Sequence, residues 1–169
     1  LWFPGIKAKF DDAFGIRPCV LHPRSRGWVK LRSADPFDHP RIQGNYLTDP
    51  YDVAIIRKGF KIARDVVGRP PMDPYRGVET VPGPQAKTDA EIDLWIRQNS
   101  LTVDHPACTA KMGIGEDAVV DPDLRVRGIE RLRVVDASIL PDLTSAHLNA
   151  CVLMMGEKAS DMILGKPLL

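Results

Sequence analysis

The sequence predicts an α+β fold: antiparallel strands, then helices, then a strand–loop–helix tail. Three observations carry this. Val29 and Leu31 alternate with Trp28, Lys30 and Arg32, the period of two of a half-buried antiparallel strand. Two amphipathic stripes with recognisable caps follow between residues 48 and 100. After residue 100 short strand-like runs closed by acidic turns lead into a last helix.

Residues 1–35 carry strand-like runs at Leu1–Phe3, Gly5–Phe10, Arg17–Leu21 and Trp28–Ser33, separated by Pro4-Gly5, Phe14-Gly15 and Ser25-Arg26-Gly27. Asp35-Pro36-Phe37-Asp38-His39-Pro40 is a proline-broken loop. Thr48 or Asp49 then offers an N-cap, with Pro50 at the first helical position, where its missing N–H costs nothing. Val53, Ile56, Phe60, Ala63 and Val67 form the apolar stripe, and Gly68 and Pro70-Pro71 end the helix. Residues 69–87 read as a Pro/Gly-rich surface excursion. Thr88 and Glu91 make a capping box for a second helix, whose apolar side is Ile92, Trp95 and Ile96. Ala118–Pro122 and Leu132–Asp136 are expected as strands, Asp136–Pro141 as a turn, and Leu148–Leu164 as the last helix, ended by Gly165 and Pro167.

The chain has 169 residues, 44% hydrophobic and 27% charged, which is globular and about one domain's worth. A net charge of +1 gives no support for a nucleic-acid or anionic-membrane partner. No apolar run reaches the ~18 residues of a membrane span. Three cysteines argue against a disulfide scaffold and for a reducing compartment, so the expected location is cytoplasmic. The chain starts Leu1-Trp2-Phe3 without Met, which reads as a fragment or processed subunit.

Few residues offer chemistry on their own. His22 and His39 precede prolines in loops and read as surface or structural residues. His105 also precedes a proline. His147 lies at the start of the last helix, where unpaired N–H groups and partial positive charge suit an anion or an electron-rich ring. The plainer alternative is that Thr144 and Ser145 cap that helix and His147 packs nearby. His105 with Cys108 and His147 with Cys151 have spacings that tetrahedral zinc accepts, but there is no Cys-x-x-Cys and free cysteine is commonly a small buried hydrophobe, so no metal is expected. No Gly-x-Ser-x-Gly, no phosphate-binding loop and no Gly-x-Gly-x-x-Gly is present, so no self-contained nucleotide-binding enzyme is encoded.

Three stretches, in order, nevertheless form a pattern. They are His22-Pro23-Arg24-Ser25-Arg26-Gly27 through Pro36; His105-Pro106-Ala107-Cys108-Thr109 through Val126; and Leu132 through Pro141 with His147-Leu148-Asn149-Ala150 and Met155–Asp161. In this the chain resembles the C-terminal, substrate-side part of the glucose–methanol–choline (GMC) family of FAD-dependent oxidoreductases, which includes choline dehydrogenases and alcohol oxidases. The resemblance implies oxidation of a small-molecule alcohol, with His105 as base and His147 as its partner against the substrate hydroxyl, and hydride transfer to FAD. The reverse assignment of the two histidines stays open, since they can titrate as a pair. It also implies FAD contacts at Asp136, Ala137, Leu148 and Asn149, largely through backbone atoms. Residues 1–104 would then be the substrate-side sheet and helices, and 105–169 a tail returning to an N-terminal FAD-binding domain or subunit that this chain lacks. Alone, the chain is expected to bind FAD poorly. Two alternatives within the same fold are a non-catalytic binding module and a hydroxynitrile lyase, which keeps FAD without net redox turnover.

Overall fold

The computed structural model describes residues 12–167, so the runs expected at Leu1–Phe3 and Gly5–Phe10 lie outside the described residues. The architecture is α+β. Strand β1 (Trp28–Lys30) pairs antiparallel with β2 (Arg41–Gln43), with Val29 opposite Ile42. Helix α1 spans Pro50–Val67, α2 Asp89–Asn99 and α3 Asn149–Leu164.

The helices begin and end for reasons visible in their sequences. The Asp49 carboxylate accepts the Tyr51 N–H at 2.8 Å, and Pro50 occupies the first turn of α1. Thr88 and Glu91 close a reciprocal capping box on α2. Gly165 ends α3 in the left-handed region, φ 65°, with the Lys166 N–H returning to the Asp161 carbonyl. The apolar faces of α1 and α2 meet in one core of Phe60, Ala86, Ile92 and Ile96, flanked by Ile56 and Trp95. Arg57 bridges α1 to Asp93 at 2.7 Å on α2. Arg64 stacks on Phe60 and binds Glu79 together with the carbonyls of Gly83 and Ala86, tying the 69–87 excursion to α1. Gly59 is needed in α1 because Pro18 crosses there: a Cβ would lie 2.6 Å from the Pro18 Cβ.

A second core lies in the C-terminal half: Val120, Leu124, Ile139, Met155 and Ala159, with Met112, Val126 and Val152 against it. It draws one face of α3 onto a web of loops.

The strands are where the structure departs from expectation. Arg17–Leu21 forms none; Pro18 has no N–H to give a ladder, and the segment runs over α1. The β1 strand stops at Lys30, and its expected inner face is open: Val29 is 50% and Leu31 85% exposed, because no third layer covers the ribbon among the described residues. Ala118–Pro122 and Leu132–Asp136 make only isolated bridges, Met112 with Val120, Val120 with Val126 and Arg125 with Arg133. Left-handed residues Leu124, Gly128 and Arg131 turn the chain every few positions, too often for a ladder to extend.

Candidate active site

Two imidazoles 42 positions apart meet in this second half. His105 Nε2 lies 2.8 Å from His147 Nδ1, and the rings are edge-to-face with centroids 5.0 Å apart. In such a bond one ring donates its N–H to the other's lone pair, so the pair holds one hydrogen between them and cannot keep the contact as two cations.

Each ring is held by a different device. Around His105 the backbone is strained: Asp104 (φ 58°) and Cys108 (φ 69°) are both left-handed. Such non-glycine conformations persist only where surrounding contacts enforce them, and they gather at functional sites. Here the enforcing contacts are three successive bonds from the His105 stretch to the turn Ala137–Ile139. The Cys108, Ala110 and Met112 N–H groups donate to the carbonyls of Ala137, Ser138 and Ile139 at 3.3, 2.9 and 2.8 Å. That turn is headed by Asp136, whose carboxylate accepts the Ser138 N–H at 2.7 Å. One oxygen of the Asp136 carboxylate is thereby used in capping the turn.

His147 sits two residues before α3. Leu148 is the N-cap and is buried, with no side-chain cap bond, and Asn149 and Ala150 are exposed. Neither Thr144 nor Ser145 caps the helix: the Thr144 hydroxyl donates to the Ala146 carbonyl, and Ser145 Oγ bonds elsewhere. An exposed helix start without a side-chain cap presents N–H donors and the positive end of the helix dipole, a donor set that suits the electron-rich edge of a flavin. Residues expected at the cofactor thus fit it through α3's first turn (Leu148, Asn149) and the Asp136-Ala137 backbone.

Burial, then the charge of Asp142, raise the Cys108 thiol above the usual value, with Arg26 opposing, which works against a nucleophilic role for it. Among the described residues no group of His, Cys, Asp or Glu is arranged to hold a metal.

His22, expected as a surface or structural residue, is exposed and reaches the loop before α3. His22 Nε2 lies 2.8 Å from Ser145 Oγ, and its Nδ1 3.6 Å from Asp142 Oδ2; Arg26 Nη2 lies 3.7 Å from Asp142 Oδ1. The segment after His22 is held by Asp52, 2% exposed, which accepts the N–H groups of Arg24 at 2.7 Å and Ser25 at 2.9 Å. Burial by itself would raise the Asp52 pKa, but the Ser25 side chain, these two N–H groups and the Arg26 charge together hold it below the ordinary value. The signal for Asp52 was available: an acid beside the apolar stripe of α1.

Comparison with known proteins follows the same residues. The model of a family described as GMC oxidoreductase matches residues 23–156. Human mitochondrial choline dehydrogenase is 45% identical over 161 residues, 94% of this chain and 27% of that protein. The oxygen-dependent choline dehydrogenase of Acinetobacter baumannii is 46% identical over 164 residues, 97% of this chain and 30% of that protein. Among solved structures, pyridoxine 4-oxidase from Mesorbium loti aligns with a TM-score of 0.81 at 32% identity, covering 88% of this chain and 29% of that one. A fungal aryl-alcohol oxidase aligns at 0.77 and 38% identity, over 86% and 24% of the two chains. The chain spans less than a third of the length of each of these proteins.

Proposed function

Because the chain belongs to the GMC oxidoreductase family, we propose that it is the substrate-side part of a flavoenzyme that oxidises an alcohol to an aldehyde or ketone. The observation that carries the reading is the His105–His147 pair: two ring nitrogens 2.8 Å apart, facing each other, with His147 two residues before a helix start without a side-chain cap.

Oxidising an alcohol removes the hydroxyl proton and a hydride from the adjoining carbon. A hydroxyl entering between the rings donates to one nitrogen and accepts from the other, displacing their direct bond. His105 takes the proton, and His147 orients the oxygen and steadies its developing negative charge. With the hydroxyl held between them, the two rings work on the same oxygen, so loss of either misplaces it for the other. FAD, when bound, would supply the hydride acceptor, and a structural relative from Chaetomium thermophilum is an FAD-dependent oxidoreductase. The first turn of α3 and the Asp136-Ala137 backbone hold it from this side.

The remainder of the cofactor site belongs to an N-terminal FAD-binding domain or subunit. The exposed apolar residues of the β-ribbon, Val29, Leu31 and Ile42, support a large missing contact surface. The whole chain acts as one C-terminal domain, with residues 1–104 on the substrate side and 105–169 returning to the FAD domain. No helix among the described residues is long and apolar enough to cross a membrane, and the three cysteines are free, which suits a reducing compartment such as the cytoplasm.

The test is anaerobic flavin bleaching in the complete protein by a panel of alcohols. Choline comes first, because relatives are choline dehydrogenases, then pyridoxine and aryl alcohols. Bleaching by at least one of them is expected. A flavin that stays oxidised with every alcohol overturns the reading.

A further inference from the structure

We propose that His22 is a positioning residue: through Ser145 it fixes the loop that sets the His147 ring against His105. The inference rests on the reading that this pair handles the substrate proton.

The loop before α3 has little of its own to hold it. Among the described residues, no backbone N–H of residues 142–148 bonds to a backbone carbonyl. Its local bonds, Leu143 N–H to the Asp142 carboxylate and Thr144 hydroxyl to the Ala146 carbonyl, shape single turns without anchoring them. The ties that reach outside are side chains: His22 to Ser145 at 2.8 Å, His22 and Arg26 to Asp142 at 3.6 and 3.7 Å, and His105 to His147 at 2.8 Å. The Asp142 contacts are longer than a hydrogen bond, and the stretch is otherwise held at its end by the buried Leu148. The His22–Ser145 hydrogen bond, though exposed like them, is the short polar tie from outside the pair, two residues from the ring it positions. His22 can serve because its own segment is rigid: Asp52 holds the next two N–H groups, Ser25 Oγ accepts the Asp49 N–H at 3.0 Å, and Arg24 stacks over Tyr51 at 3.9 Å. The path runs from the first turn of α1 to the catalytic pair.

The experiment compares His22→Ala, Ser145→Ala, the double variant and His22→Gln in the complete flavin-loaded protein, with His105→Ala as reference. A single net hydrogen bond is worth about five-fold in rate. Each single alanine variant is expected to lower kcat about five-fold with KM little changed, since a misplaced ring is felt in the transition state. The double variant should be no worse than either single one. His22→Gln, whose amide reaches the Nε2 position, should restore most of the rate. The ring ¹⁵N resonances of His147 should move in Ser145→Ala, a readout independent of turnover. An unchanged kcat in both alanine variants, multiplicative losses in the double one, or unmoved His147 resonances would each overturn the proposal. If His105→Ala is itself fully active, the proton-handling reading fails instead.

Discussion

In α1 and α2 the backbone is satisfied within each helix, the caps come from residues one to three positions away, and the apolar faces seal against each other. Between residues 104 and 148 almost nothing is regular: isolated bridges, left-handed non-glycine residues, and bonds that join distant turns. The first region holds its shape by local rules and the second by long-range agreement. A change in the helical pair should therefore be felt as lost stability, and one in the loop region as lost catalysis.

The sharpest way to break that contrast is His105→Ala. Alcohol oxidation by the complete protein should fall about 10²–10⁴-fold, with its unfolding midpoint close to that of the parent; a large drop in midpoint would show that the loop region depends on this ring for stability after all. Next comes Ile92→Ala, which empties a fully buried site in the helical core. Urea unfolding should register a loss of about 2–5 kcal/mol, while flavin reduction by the folded protein stays near the parent rate.

Asp52, in the first turn of α1, ties down the segment that carries His22. Its native pKa lies below the ordinary value, so its contribution is complete above about pH 4 and is lost as the pH falls through the native value. Asp52→Asn should cost about 1–3 kcal/mol at neutral pH and flatten the acid limb of the stability–pH curve. An unaltered acid limb would remove Asp52 from the path to the site. Gly59→Ala inverts a general rule. Alanine normally stabilises a helix interior by about 1 kcal/mol over glycine, but here its methyl meets Pro18, and calorimetry should show a destabilisation of about 1–3 kcal/mol. The smallest effect, about 1 kcal/mol, is expected for Thr88→Ala, which removes one arm of the α2 capping box and should leave kcat untouched.

The same contrast explains what was legible in the sequence. Both helix starts, Asp49-Pro50 and Thr88 with Glu91, follow from neighbouring residues and sit where expected. The runs at 118–122 and 132–136 have the composition of strands, but whether a run becomes a ladder depends on the turns around it, and Leu124 and Arg131 show no sign in a sequence of adopting φ above 50°. The ribbon's alternation was real, yet alternation marks a surface able to be covered, not one that is covered. At the site, His105 and His147 were singled out by family pattern rather than by spacing. His22 reads as a surface or structural residue, and its tie to Ser145 has no sign in the sequence because the two are 123 positions apart, beyond any periodicity.

That separation also sets an order in time. Contacts within α1 and α2 close short loops and form early, whereas a tie across 123 positions bears a large closure entropy and forms late. The capped helices then stand before His22 reaches Ser145, and the loop bearing His147 is expected to be the first part to open again. Hydrogen exchange should find the amides of residues 142–148 the least protected among residues 50–164, so the protein would lose its chemistry through local opening while its helical core is still intact.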